Sequence, residues 1–219
     1  SMYGAGRGVI RGLLEGTGCE IHEIRNEMNP GFGGVHPEPI GQYLTPLSGA
    51  ICMGKGSLGL ATDGDADRIG AMDERGVFVD PHKIMSLALK YLTEKRGLKG
   101  SVVRTVSTTR MIDLICQKYG LTVYETPVGF NHIADRMLNE EVLIGGEESG
   151  GISFQGHIPE GDGILMGLLL VEIVAESGKP LSELVANLLD EFGPAFYARR
   201  DQRLSQPVAK QKMVDHLIN

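Results

Sequence analysis

The sequence predicts an α/β protein: two consecutive α/β domains with mixed, mostly parallel sheets flanked by helices. Three observations carry this. Short apolar stretches alternate with longer stretches of helical period, the pattern of strands connected by crossover helices. The helical stretches carry their own punctuation, with Asp80-Pro81 at a start and Gly120, Gly178 and Gly193 at ends. Glycine is abundant, 31 of 219 residues, about twice the usual ~7%. Many of these glycines gather in short loops, where backbone must turn sharply or approach a ligand.

In chain order, AGRGVIRGLLE (5–15) reads as a helix closed by Gly16 and Gly18, and CEIHEIR (19–25) alternates as a strand does. The Gly/Pro-rich stretch 29–39 is a loop, 40–53 reads as a helix, and LGLAT (58–62) is a short, nearly all-apolar strand. IGAMD (69–73), the turn ERG and VFV (77–79) form a hairpin. A helix then runs from Asp80-Pro81 to about Lys95, followed by strand 101–105, helix 108–119, strand 121–125, helix 130–140 and strand 142–146. Helices at 162–176 and 181–192 follow, with Asp162 as the N-cap of the first. AFYARRDQRL (195–204) reads as a strand, and 208–218 as a charged helix. A boundary near residues 74–80 gives domains of 1–76 and 77–195, with 196–219 a linker toward a further C-terminal domain. The first unit opens on a helix where a βαβ unit wants a strand, so the sequence reads as a piece of a longer protein.

Hydrophobic content of 42% and charged content of 22% are those of an ordinary globular chain. Net charge is −7, and no basic stripe stands out, which argues against nucleic acid as a partner. The longest apolar run, ILMGLLLV (164–171), is too short to span a bilayer and ends at Glu172. Cys19, Cys52 and Cys116 show no CxxC spacing and read as reduced, buried thiols of a cytoplasmic protein.

Chemistry concentrates in LGLATDGDADRIGAMD (58–73), where Asp63, Asp65 and Asp67 alternate and Arg68 follows. Three carboxylates this close repel unless a cation lies between them. Mg²⁺, a hard cation held by carboxylate, phosphate and water oxygens, suits the set, and Arg68 offers a second positive group to phosphate. Three other readings stand beside it. An acidic surface turn would share the composition. An EF-hand would use Asp63, Asp65, Asp67 and Glu74 as loop positions 1, 3, 5 and 12, but it needs Gly where Arg68 stands and helices at the flanks. A haloacid-dehalogenase-type phosphatase would make Asp63 a nucleophile. A second constellation, GGEESGG (145–151), follows the apolar strand VLI. Its carboxylates and hydroxyl suit the hydroxyls of a sugar, and both loops sit at strand ends, where open α/β sheets bind ligands. Taken alone, it could equally be a solvated turn.

Together DGDADR, TPVGFNH (126–132), GEESGG and GHIPEGDG (156–163), with MYGAG (2–6) and FGGVHPEP (32–39), resemble the α-D-phosphohexomutase superfamily, the phosphoglucomutases and phosphomannomutases, over about residues 2–205. The likeness is to the second and third of that family's four domains. It implies that Asp63, Asp65 and Asp67 ligate Mg²⁺, that Arg68 lies beside the transferring phosphoryl group, and that Glu147 and Ser149 hold sugar hydroxyls. It places the loop around Gly129 and Asn131 near the substrate and lets His157 shape the sugar site. It also implies an isomerase that passes a phosphoryl group between a phosphoserine and a hexose phosphate through a bisphosphate. Three departures stand out. The family's T-A-S-H-N-P serine loop and its R-x-S-G-T phosphate clamp are not in this sequence, and Asn131 stands where relatives often carry Lys. The resemblance therefore implies missing N- and C-terminal domains and a chain that binds metal and sugar phosphate without turnover by itself. GEES points to glucose phosphate first and mannose phosphate next, because mannose- and glucosamine-directed relatives tend to carry Met or Gln at Glu148.

Overall fold

The computed structural model describes residues 1–201 and 206–218. Among these, seven strands form two sheets. The first has the order β1-β2-β3, from Gly59–Thr62, Ile69–Met72 and Phe78–Val79. The second has the order β5-β4-β6-β7, from Val123–Thr126, Ser101–Thr105, Val142–Gly146 and Ile152–Phe154. The expected α/β architecture with mixed sheets flanked by helices is what is found, but parallel pairing is confined to the second sheet. There β4 pairs parallel with β5 and β6, while β7 returns antiparallel on β6. All pairing in the first sheet is antiparallel. Connection length decides this: β1 and β2 are in register from Thr62 opposite Ile69, and the short loop between them cannot make the crossover that parallel pairing needs.

The helices are α1 (Val9–Leu13), α2 (Thr45–Cys52), α3 (Pro81–Glu94), α4 (Met111–Tyr119), α5 (Phe130–Asn139), α6 (Gly163–Ser177), α7 (Leu181–Phe192) and α8 (Lys210–Ile218). Most follow their sequence signals. Asp80 accepts the Lys83 N–H ahead of Pro81, Asp162 accepts from Ile164 and Leu165, and Gly120 and Gly178 close their helices in the left-handed region.

Five expectations do not hold. The helix expected over 5–15 shrinks to α1, because the backbone up to Gly8 is committed to turns, with Met2, Tyr3 and Gly8 at positive φ. The helix expected over 40–53 divides into a short 3-10 turn at Gly41–Tyr43 and α2, which starts beside Pro46. Residues 19–25 form no strand; residues 19–24 line an apolar cleft of about 350 Å³ together with β1 residues instead of pairing with them. Residues 195–201 form no strand either, and 202–204 of that stretch lie outside the described residues. Of the cysteines, Cys116 is buried, whereas Cys19 and Cys52 are exposed. No helix among the described residues is long and apolar enough to cross a membrane.

One hydrophobic core runs through both sheets. Ile69 and Ala71 of β2 pack in the same cluster as Ile84, Met85, Leu89 and Leu92 of α3, Leu143 and Ile144 of β6, and Met166 and Leu170 of α6. The loop after β1 and the loop after β6 thus stand on one support.

Candidate functional site

The aspartates occupy the hairpin loop between β1 and β2. Ala66 sits at φ 68, and the loop curls against two glycine-bearing segments. Ala5 donates its N–H to the Gly64 carbonyl at 2.8 Å, and a Cβ on Gly4 would lie 2.5 Å from that same oxygen. On the other side, Gly163 at the start of α6 donates to the Ala66 carbonyl at 2.9 Å, and its own Cβ would fall 2.2 Å from the Arg68 carbonyl. Side chains at these positions would push the loop away. The MYGAG glycines are therefore supports of the aspartate loop, a role that sequence reading missed.

One carboxylate oxygen from each of Asp63, Asp65 and Asp67 lies within 4.8 Å of the others. Asp63 is buried, Asp67 half-buried and Asp65 exposed. Burial, then Asp67 and Asp65 beside it, push the Asp63 carboxyl up to about 7, against the pull of the Arg68 N–H. Asp67 Oδ1 is buried with no hydrogen-bond partner among the described residues. An orphaned carboxylate oxygen next to a second carboxyl that resists ionising is what a hard dication would relieve, so the residues fit Mg²⁺. The EF-hand reading fails. The flanks are strands, and Glu74 is turned away to accept from Ser182, at the start of α7, through both its hydroxyl and its N–H, the latter at 3.3 Å.

Arg68 points into this charge field. Its Nε lies 3.8 Å from Asp63 and 3.7 Å from Asp67, and its Nη1 lies 3.9 Å from Glu38. None of these is a hydrogen bond, so the guanidinium has donors not engaged by a hydrogen-bonded partner among the described residues.

The second loop is closed by backbone bonds, Glu147 N–H to Gly151 O at 2.9 Å and Gly150 N–H to Glu147 O at 3.2 Å. Glu147 Oε1 accepts the Gly129 N–H at 2.8 Å, which ties the loop to the N-terminus of α5. Burial raises the Glu147 carboxyl, with Glu148 and Asp67 adding to the rise and the Gly129 N–H and Arg68 opposing it. Ser149 is half-buried. Glu148 does not stand in solvent: Oε2 accepts from the Ser107 hydroxyl and from the Thr105 hydroxyl, the latter at 3.2 Å. Thr105 and Ser107, at the end of β4, had no signal in the sequence beyond a run of small hydroxyl residues.

The two loops touch. Arg68 and Gly151 form an isolated antiparallel bridge, and Ile69 donates to the Gly150 carbonyl at 3.1 Å. Gly150 sits at φ 102, and a Cβ there would lie 2.6 Å from the Ile69 carbonyl. The structure thus brings Asp63, Asp65, Asp67, Arg68, Glu147 and Gly129 into one connected arrangement. Asn131 is exposed on the first turn of α5, with its Oδ1 beside Gly129. His157 is engaged by Asp162, Nε2 to Oδ2 at 3.0 Å, while the other Asp162 oxygen caps α6.

Comparison with known proteins identifies the family. Residues 1–76 match the family description "Phosphoglucomutase/phosphomannomutase, alpha/beta/alpha domain II", and residues 80–192 match domain III of the same family. A phosphoglucosamine mutase of Exiguobacterium sp. is 36% identical over 85% of this chain and 41% of its own length. A Thermus thermophilus protein, provisionally named a phosphomannomutase, superposes with a TM-score of 0.81 at 39% identity, covering 88% of this chain and 44% of that one. A Burkholderia thailandensis phosphoglucomutase/phosphomannomutase family protein shares the fold at 22% identity, with a TM-score of 0.78 over 90% of this chain and 42% of that one. The chain thus spans about two-fifths of the length of the curated relatives it matches. With domains II and III matched in order along the sequence, the chain belongs to the phosphoglucomutase/phosphomannomutase family of α-D-phosphohexomutases.

Proposed function

We propose that this chain is the metal- and sugar-binding centre of a Mg²⁺-dependent phosphohexomutase that interconverts hexose 1-phosphate and hexose 6-phosphate. The observation that carries it is the pairing of Ile69 with Gly150 and of Arg68 with Gly151, which fixes a carboxylate loop fit for a dication against a loop fit for a sugar. Asp63, Asp65 and Asp67 hold the ion. When bound, it supplies neutralisation of the phosphoryl charge during transfer. Arg68, whose side chain makes no hydrogen bond among the described residues, orients the phosphoryl oxygens. Glu147, held by the Gly129 N–H, and Ser149 bind sugar hydroxyls. Asn131 and His157 border this site, as an amide donor and through Asp162 respectively. The phosphoseryl donor is not supplied by these residues, since the family's serine loop is not in the sequence.

Glucose phosphate is placed first on the GEES pattern, with mannose phosphate next. The curated relatives named phosphoglucosamine mutase favour glucosamine phosphate as a second reading. The dehalogenase-type phosphatase is not retained: its nucleophile would be Asp63, which is buried and accepts the Arg68 N–H at 3.1 Å, and the family match gives it no support.

Calorimetric titration of Mg²⁺ into the chain is the test. Saturable binding that Asp65→Asn abolishes is expected, followed by binding of a hexose 1-phosphate to the loaded chain. Titrating glucose, mannose and glucosamine 1-phosphates in parallel ranks the sugars. Equal Mg²⁺ binding by the wild type and Asp65→Asn would remove the aspartates from the metal site.

A further inference from the structure

Glu38 is a carboxylate beside Arg68 that the metal loop does not supply. It lies in the HPEP segment, where Pro39 backbone packs against β2 so closely that a Cβ on Gly70 would fall 2.2 Å from the Pro39 carbonyl. The Glu38 side chain is only 12% exposed. Its oxygens are held by Arg199, Nη1 to Oε1 at 2.7 Å and Nη2 to Oε2 at 3.3 Å. Arg199 belongs to the segment after α7, which returns across the molecule; Tyr197 stands edge-on to Phe78 of β3 and tilted against His82 of α3. Arg199 Nε is itself fixed by Asp201 at 2.8 Å.

We propose that Arg199 is a positioning residue for Arg68. By gripping both oxygens of Glu38, it neutralises that carboxylate and holds it at 3.9 Å from Arg68, short of a hydrogen bond. A largely buried carboxylate that loses its partner seeks another cation, since an unpaired buried charge is costly. Arg68 is within reach. His36, at 3.8 Å, is the other candidate and is far more exposed. Without Arg199, Glu38 closes on Arg68 and engages the donors that would otherwise meet phosphoryl oxygens. The sequence gap between these residues is wide, so the segment after α7 acts on a group in the first half of the chain.

This inference rests on the proposed role of Arg68, but its test does not. Rotation of the Arg68 guanidinium is read by Cζ-detected NMR of arginine-labelled chain, with the Arg68 signal identified by its loss in Arg68→Lys. In Arg199→Ala, Arg68 rotation is expected to slow roughly tenfold, as when a charge-assisted hydrogen bond must break first. The double variant Arg199→Ala/Glu38→Gln is expected to restore the wild-type rate. Arg200→Ala, with the same charge change one residue away, is expected to leave it unchanged. Unchanged Arg68 rotation in Arg199→Ala, whether Glu38 stays in place or turns to His36, overturns the proposal. So does slowing that persists in the double variant. Neither result touches Mg²⁺ or sugar binding, so failure here and failure of the mutase reading are separate outcomes.

Discussion

Asp63 is under opposing demands. Burial and two neighbouring carboxylates raise its carboxyl to about 7, whereas a metal ligand must be ionised. The folded value lies above the ordinary Asp value of about 3.9, so protonation stabilises the fold. That contribution is complete below about pH 4 and is lost as pH rises through about 7. The metal-free chain is therefore expected to lose stability from this group as pH rises from about 4 to about 8. Urea unfolding across that range should show the loss in the wild type and not in Asp63→Asn, and Mg²⁺ should return stability at pH 8. Identical pH dependence in the two proteins would show that Asp63 is not the strained group.

At the scale of elements, α6 does more than cover the sheet. Asp162 caps it with two bonds of 2.9 Å, and its first residue, Gly163, presses against the backbone of the aspartate loop. Replacing Gly by Ala within a helix ordinarily stabilises by roughly 0.5–1 kcal/mol. Here the added methyl meets the Arg68 carbonyl, which is fixed backbone, not a flexible side-chain end. Gly163→Ala is expected to destabilise by more than about 1 kcal/mol and to weaken Mg²⁺ binding, because relief of the clash moves the loop. Thermal unfolding and calorimetry of the variant check both effects; a variant as stable as wild type would show that the loop yields freely.

Across the whole molecule, the two halves share a core, and Glu74 on Ser182 and Glu38 on Arg199 cross between them. Met166 of α6 is fully buried. Met166→Ala is expected to cost about 2–5 kcal/mol. The most protected amides of β2 and of β4 and β6 should then exchange faster by the same factor, since a shared core opens as one unit. Acceleration in one sheet alone would mean that the halves unfold separately.

Legibility followed the range of the interactions. Helices α3, α6 and α7 were readable because their caps and apolar faces are local: Asp80-Pro81, Asp162 and the run after Leu181 state them within a turn or two. Strands β4 and β6 were readable as short apolar runs, whereas β7 was missed because three residues after a glycine-rich loop carry too little pattern. The aspartates and GEES were visible as unusual local groupings of polar residues, the aspartates as three crowded carboxylates and GEES as a loop that could equally have been a solvated turn. Pairing direction, the closeness of Gly4 and Gly163 to the loop, and the partners of Glu38 and Glu148 were not visible, because each joins residues far apart in the chain. The sequence by itself determined the family, the α/β class and the residue types gathered in the two loops, all encoded in local runs of residues. Only the tertiary structure decided that the loops meet through Arg68 and Ile69, that the Arg68 side chain is left without hydrogen bonds among the described residues, and that Arg199 reaches back to Glu38. Those outcomes depend on close packing across the shared core, where position is set by what each backbone can approach.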